Sequence, residues 1–313
     1  MNDRGPGGPV ASGQKDSYRQ NCATSGTATS PAGAPAPRGG AGVRRALHVR
    51  VRLATKLATL GLDYPASCLG ELVEEATRET LSATAFLDLV LTRQLERKDE
   101  RRVQTMLKLS GLPPGKTLED FDWSFQPRVD RRAIEALATC SYVRDKTNVL
   151  FLGPPGVGKS HLATALGVKA IKNGFSVAHF VLDDLMHVLR ADAAVPPARL
   201  RARRYFNCAL LIVDEVGFRP LDRAEANLFF RLVSARYERG SIVLTSNKHV
   251  RDWPAIFAAD EVLTTAILDR LLHHVHVLSI DGRSYRLREL DALLGAGPDL
   301  PSPPNPGGSP KTR

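Results

Sequence analysis

The stretch that decides the fold is residues 148–172, which read NVLFLGPPGVGKSHLATALGVKAIK. The apolar run at 149–152 predicts a buried strand, and the spacing of apolar residues after Lys159 predicts a helix. Between them, Gly153 to Ser160 fits the pattern G-x-x-x-x-G-K-[ST]. The glycines of such a loop let successive backbone N–H groups point at phosphate oxygens. A strand, this loop and a helix in that order predict a phosphate-binding loop.

This loop is expected to hold ATP together with Mg²⁺. Lys159 should reach the β- and γ-phosphates, and the hydroxyl of Ser160 should ligate the metal ion. Lys159 is also a candidate catalytic residue, because its ammonium neutralises charge that develops on the phosphates. The expected nucleotide-binding residues are Gly153, Pro154, Pro155, Gly156, Val157, Gly158, Lys159, Ser160 and His161.

Polar residues follow two further apolar runs. The run 209–213 ends in Asp214 and Glu215. A buried strand that delivers carboxylates beside a phosphate loop is typical of P-loop ATPases, so we expect Asp214 to hold Mg²⁺ and Glu215 to polarise the attacking water. The alternative is an acidic pair that faces solvent. The run 242–245 is followed by Asn247, which either holds the same water or simply forms a turn.

Arg270 and a group of four other arginines have candidate roles outside this loop. Arg270 lies on a predicted helix and could stabilise transition-state charge at a neighbouring subunit's nucleotide, or form a surface ion pair with Asp269. The group of four lies in a predicted helix that opens at Pro196-Pro197 and ends at Tyr205. It is either a contact for the DNA backbone or a solvated helix face. Its members are Arg199, Arg201, Arg203 and Arg204.

A histidine cluster at His273, His274 and His276 raises the question of a metal site. On a strand, His274 and His276 would share one face. No Cys or carboxylate near them completes a ligand set. A structural or interface role is therefore the favoured interpretation.

The segments of the chain differ in composition. Residues 1–45 are rich in Gly and Pro and are predicted to be disordered, as is the Pro/Gly-rich tail at 295–313. Helical patterns predict a small all-α module at 46–115, joined by a linker at 116–129 to an ATPase core at 130–294. In the core, short apolar runs alternate with helices, which indicates parallel strands buried on both faces. The predicted fold class is therefore α/β.

The composition excludes several classes of protein. The chain has 313 residues, 43% hydrophobic and 24% charged, and no run approaches the roughly 18 apolar residues of a transmembrane helix. The amino terminus lacks the apolar core of a secretory signal, and four separated cysteines fit a reducing cytoplasm. A net charge of +10 suggests a polyanionic partner, although part of it lies in the two tails. We expect a cytoplasmic protein with no membrane partner.

Several segments together resemble one family. They are GPPGVGKSHLA (153–163), LLIVDEVGFRPLDR (210–223), TSN (245–247), LDRLLHHVHVLSIDGRSYRLRE (268–289) and KTLEDFDW (116–123). They are similar to segments of the IstB-like ATP-binding proteins of bacterial insertion sequences. Those proteins are AAA+ ATPases of the initiator clade, related to the DnaC helicase loader and the DnaA initiator. The resemblance covers roughly residues 47–290.

This resemblance implies an AAA+ core and an ATP-dependent helper that assembles as a homo-oligomer on double-stranded DNA. Such a helper recruits or activates the transposase encoded by the same element. The resemblance also implies that the basic helix contacts DNA and that Phe121 lies near the adenine. Too few residues follow the last predicted strand for a helical lid domain, so a lid-borne arginine is expected to be absent, and Arg286 and Arg288 are the residues that could substitute for it.

Two other functions fit the same residues. A replicative helicase loader of the DnaC type would share every nucleotide-binding residue, and its helical module would bind a helicase instead of a transposase. A DNA-wrapping scaffold would use ATP only to lock the assembly. Glu215 and Asn247 argue against the scaffold, because a lock does not need residues that aim a water.

Overall fold

The computed structural model of the chain describes residues 40–200 and 202–288. The segments predicted to be disordered, 1–45 and 295–313, therefore lie outside the described residues except for 40–45. The expectation of a missing lid concerns the same undescribed carboxyl-terminal part. Among the helices of the described part, none combines the length and the apolar character that crossing a lipid bilayer requires.

The first helices of the chain belong to two compact units. α1 (Gly40–Thr59) belongs to a unit that ends at Leu62. Three helices open the second unit: α2 (Asp63–Ser67), α3 (Leu69–Arg78) and α4 (Ala83–Ser110). The ends of α4 are well defined, because Ser82 Oγ accepts a 3.2 Å hydrogen bond from the N–H of Ala85 and Gly111 adopts a left-handed conformation.

Parallel strands form the centre of the second unit. They are β1 (Asn148–Leu152), β2 (Val177–Val181), β3 (Leu210–Val216), β4 (Ser241–Ser246) and β5 (Val275–Ser279). They form one five-stranded sheet in the order β2-β3-β4-β1-β5. Val149 of β1 pairs with Val243 on one side and with His276 on the other. β4 therefore lies between β1, which leads into the phosphate loop, and β3, which carries the acidic pair.

Further helices complete the second unit, and two apolar clusters make up its core. Along β1, Leu150 belongs to one cluster, and Val149 and Phe151 belong to the other. Because both faces of the sheet are covered at β1, β3 and β4, these three strands are mainly apolar and buried, whereas the edge strand β5 is largely exposed. The predicted α/β class is confirmed. The helices are α5 (Arg131–Ala138), α6 (Ser141–Arg144), α7 (Lys159–Lys172), α8 (Leu182–Ala191), α9 (Pro197–Leu200), α10 (Arg204–Asn207), α11 (Arg223–Arg236) and α12 (Glu261–Leu272), with a 3₁₀ helix at Val250–Ala255.

The long helix α4 packs against the ATPase core. It contacts α7 and β2, and the guanidinium of Arg102 donates a 3.4 Å hydrogen bond to the carbonyl of Ile171. The division between compact units falls between Leu62 and Asp63. The predicted domain boundaries stay predictions.

The prediction of a single basic helix between Pro196 and Tyr205 is wrong. Two short helices, α9 and α10, take its place. Arg203 is extended, with φ −66° and ψ 142°, and its side chain pairs with Asp192 at 2.7 Å. Because Arg203 is extended, α10 begins as a separate helix and does not continue α9.

Candidate functional site

The phosphate loop has a backbone that only glycine adopts without strain. Gly153, Gly156 and Gly158 have φ values of 146°, 83° and 97°. A Cβ at Gly153 would lie 2.1 Å from the carbonyl oxygen of Ile280, and one at Gly158 would lie 2.7 Å from Cε2 of Phe121. The loop therefore forms a cradle that side chains at the glycine positions would fill. A phosphate site requires such an open cradle of backbone.

The Lys159 ammonium lies inside this cradle. Its Nζ donates hydrogen bonds of 2.8 Å to the carbonyl of Gly153 and 2.7 Å to that of Pro154. Burial lowers the pKa of the ammonium, and the nearby Asp214 carboxylate opposes that shift. The ammonium is thus placed to replace its hydrogen bonds to carbonyl oxygens of the loop with hydrogen bonds to phosphate oxygens.

Ser160 and Asp214 meet at the carboxyl edge of the sheet. Ser160 Oγ donates a 2.8 Å hydrogen bond to Asp214 Oδ1, and the Thr245 hydroxyl donates to the same oxygen. Hydroxyl and carboxylate oxygens are the ligands that Mg²⁺ prefers. His179 Nε2 lies 4.0 Å from Asp214 Oδ2, and burial lowers the pKa of this imidazole, which favours its neutral form. The predicted pair of magnesium ligands fits the ion.

Glu215 is held in an unusual backbone conformation next to this pair. Its φ is 62°, a left-handed value that is uncommon for a residue other than glycine. Its N–H donates to Thr245 Oγ1 at 3.0 Å and lies 3.1 Å from Asp214 Oδ1. The Glu215 side chain is exposed. Two polar partners thus hold the backbone of Glu215 in this conformation.

Thr245 is a site residue that the sequence analysis missed. Its hydroxyl lies between Asp214 and Glu215, since it donates to the first and accepts from the second. The signal in the sequence is a hydroxyl residue that directly follows the apolar residues 242–244 of a fully buried strand. Asn247, the residue predicted for this role, is exposed beyond the end of β4. Its predicted role in holding water stays a prediction.

Arg270 lies at the amino ends of the strands, on the side of the sheet opposite the phosphate loop. It lines a small cavity with Asn148 and Ile242, which belong to the amino ends of β1 and β4. Its Nη1 donates to the carbonyl of Ala266 at 2.8 Å, and its guanidinium lies 4.9 Å from the ring centre of Phe230. A five-residue strand spans about 16 Å, farther than an arginine side chain reaches. Arg270 therefore does not reach the phosphate loop of its own chain.

A cleft of about 330 Å³ adjoins the phosphate loop. Phe121 lines it, in edge contact with the His161 ring at 5.4 Å. The cationic side chains of Lys116 and Arg286 line it as well, whereas Arg288 pairs with Asp122 at 3.0 Å. An aromatic wall beside cationic groups suits a base linked to phosphates, and the volume is within the usual range for small-ligand sites.

Two of the candidate DNA-binding arginines bond to groups of the chain itself. Arg203 pairs with Asp192, and Arg204 donates to the carbonyl of Val177 at 3.1 Å. Arg199 is exposed on α9. Arg201 lies outside the described residues. The DNA contact at this segment stays a prediction.

The fold and the loop define the class of this protein. A phosphate loop between β1 and α7, an acidic pair at the end of β3, and β4 inserted between these strands are the core of an AAA+ P-loop nucleotide-binding protein. Comparison with known proteins then shows the family. Residues 55–292 match the family of the IstB-like ATP binding protein, and the chain belongs to it.

Individual relatives agree with this assignment. The ATP-binding protein of insertion sequence IS21 from Pseudomonas aeruginosa is 43% identical over 233 residues, which cover 74% of this chain and 88% of that protein. The corresponding protein of IS5376 from Geobacillus stearothermophilus is 41% identical over 230 residues, 74% of this chain and 91% of its own length. Among solved structures, the DnaC helicase loader is 22% identical with a TM-score of 0.40, covering 48% of this chain and 86% of that one.

Proposed function

We propose that this protein binds and hydrolyses ATP with the residues at the carboxyl edge of its sheet. The observation that carries the proposal is the contact of Ser160 with Asp214, which brings the phosphate loop and the acidic strand end together. Ser160 and Asp214 would hold Mg²⁺, which neutralises charge on phosphate oxygens when bound. Lys159 binds the β- and γ-phosphates, and Glu215 accepts a proton from the attacking water.

We further propose that ATP controls assembly on double-stranded DNA in transposition. The protein would recruit or activate the transposase of the same insertion sequence, and hydrolysis would dismantle the assembly. Membership of the IstB-like family supports this proposal, as do relatives that insertion sequences encode. The net charge of +10 favours a polyanionic partner.

The position of Arg270 supports homo-oligomerisation. Since Arg270 lies at the amino ends of the strands, away from the phosphate loop of its own chain, its proposed target is the nucleotide of a neighbouring subunit. An arginine that arrives from the next subunit couples hydrolysis to assembly, because the site is complete only between two chains.

DNA-binding anisotropy tests the helper function. Labelled duplex and single-stranded DNA of equal length are titrated with protein at fixed salt, with ATP, with ADP and without nucleotide. We expect tight, cooperative binding to the duplex with ATP alone. Lys159→Ala serves as the control and should lose the ATP dependence.

Two outcomes would contradict the proposal. A preference for single strands would favour the helicase loader, and no binding to either DNA would remove the DNA partner altogether. With duplex preference established, the transposase of the same element should co-purify with the ATP-bound protein and not with Lys159→Ala.

A further inference from the structure

A group of metal-binding side chains lies away from the nucleotide cleft. Glu238, in the turn between α11 and β4, meets His273 and His274, in the turn between α12 and β5. Their ligand atoms all lie within 4.8 Å of one another, and all three residues are exposed. In the local sequence, no carboxylate completes a ligand set with these histidines. The fold brings one there, because β4 and β5 both pair with β1 and therefore begin at the same edge.

A neighbouring tyrosine orients one of the two imidazoles. Tyr237 Oη lies 2.9 Å from Nδ1 of His273. When Nδ1–H donates to this oxygen, the lone pair of the His273 ring is on Nε2. The His274 ring lies with its centre 4.1 Å from that of His273. Histidine ligands of metals commonly have such a partner on the second ring nitrogen, which sets the tautomer and the ring orientation.

We propose that Glu238, His273 and His274 form a binding site for a divalent transition metal ion of the zinc type. Two imidazole nitrogens and a carboxylate oxygen suit Zn²⁺, with water as the fourth ligand. Zinc bonds of 2.0–2.1 Å place ligand atoms about 3.4 Å apart. Small rotations of the three exposed side chains bring their ligand atoms to this separation. Lys146, Arg236 and Arg270 line the adjoining cavity with Glu238 and His274, and the Glu238 carboxylate offsets part of their positive charge.

Zinc titration of the full-length, untagged protein tests this site. Binding of ZnCl₂ is measured by calorimetry without nucleotide or DNA, so that the result does not depend on the proposed function. We expect one zinc equivalent, a loss of that binding in His274→Ala, and a 10- to 100-fold weaker affinity in Tyr237→Phe, which removes only the supporting hydroxyl.

The matched control is His276→Ala. His276 is an exposed histidine of β5, two positions from His274 and outside the cluster. This variant should bind zinc as the unmodified protein does. Equal zinc binding by His274→Ala, equal loss in His276→Ala, or no zinc binding by the unmodified protein would each overturn the proposal.

Cobalt distinguishes this site from binding to cysteine, of which the chain has four. With CoCl₂ in place of zinc, we expect weak visible bands of imidazole and carboxylate coordination, which His274→Ala abolishes. An intense thiolate-to-cobalt charge-transfer band that persists in His274→Ala would place the metal on cysteine and overturn the proposal. Unfolding temperatures measured in EDTA should be the same for all variants, which confirms that the substituted chains are folded.

Discussion

Ser160 Oγ donates a 2.8 Å hydrogen bond to Asp214 Oδ1, which links the last residue of the phosphate loop to the end of the acidic strand. The two residues lie 54 positions apart in the sequence. Their contact means that the chain itself positions both oxygen ligands that Mg²⁺ would need. Such preorganisation lowers the cost of binding the ion and the nucleotide together.

Glu215→Gln should separate ATP binding from hydrolysis. The amide keeps the size of the side chain and cannot accept a proton from water. We expect kcat to fall by about 100-fold or more, with an unchanged affinity for a fluorescent ATP analogue. Steady-state ATPase assays and equilibrium binding measure the two effects, and a parallel loss of ATP binding would contradict the role of Glu215.

Thr245→Val should impair hydrolysis more than Asn247→Ala does. Valine keeps the shape of the side chain in β4, but it removes the hydroxyl that bonds to Asp214 and to the N–H of Glu215. We expect kcat to fall by about 10- to 100-fold with ATP affinity nearly unchanged. The same ATPase assay on both variants decides between the two residues. A larger loss in Asn247→Ala would return the water-holding role to Asn247.

Gly158→Ala should abolish nucleotide binding, and Gly174→Ala is its matched control. Both glycines have similar φ values, 97° and 90°, but only at Gly158 would the new Cβ meet an aromatic ring, at 2.7 Å from Phe121 Cε2. At Gly174 nothing lies within 4 Å. Each substitution should cost about 1–2 kcal/mol of stability through backbone strain alone.

Binding of the fluorescent ATP analogue separates the two glycines. The Gly174→Ala protein should bind it normally, while Gly158→Ala should not bind it at all. Normal binding by both variants would show that the tight contact with Phe121 relaxes without consequence.

A mixing experiment tests whether Arg270 acts on another subunit. Arg270→Ala should lower kcat by about 1000-fold, and Lys159→Ala should lose ATP binding. When the two are mixed, the intact Arg270 of one chain can serve the intact phosphate loop of the other, so ATPase activity should recover.

The mixture of Lys159→Ala with Glu215→Gln is the control, because each substitution disables the nucleotide site of the chain that carries it. No intact nucleotide site is then present in the mixture. It should show no recovery. Absence of recovery in the Arg270 mixture as well would argue against action between subunits.

Arg236 should be important for stability. It is almost fully buried, at 1% exposure, and donates to the backbone carbonyls of Tyr205, Cys208 and Ser241 among others. Replacement by Met leaves these acceptors without a donor, and we expect a loss of about 3 kcal/mol or more in the free energy of unfolding. Urea denaturation measures it, with the exposed Arg239→Met as control. Equal midpoints for the two variants would contradict this role.

Much of the nucleotide site could be predicted because its signals are local. The phosphate loop needs glycines at fixed intervals between a strand and a helix, and the residues that satisfy this lie next to one another at Gly153–Ser160. The acidic pair at Asp214 likewise follows directly from its apolar strand. The prediction of one helix over the arginines at 199–204 was wrong, since Arg203 is extended and pairs with Asp192, and local propensity does not contain such a tertiary contact.

The sequence by itself determined the α/β class, the phosphate loop and its acidic partner, since apolar periodicity and turn chemistry act between neighbouring residues. Only the tertiary structure decided which distant residues meet. The order of the strands places β4 between β1 and β3 and so brings Thr245 to Asp214. The same order places Arg270 near the amino ends of β1 and β4 and Glu238 beside His273. Strand order depends on how the whole chain packs its two cores, and no local pattern encodes it.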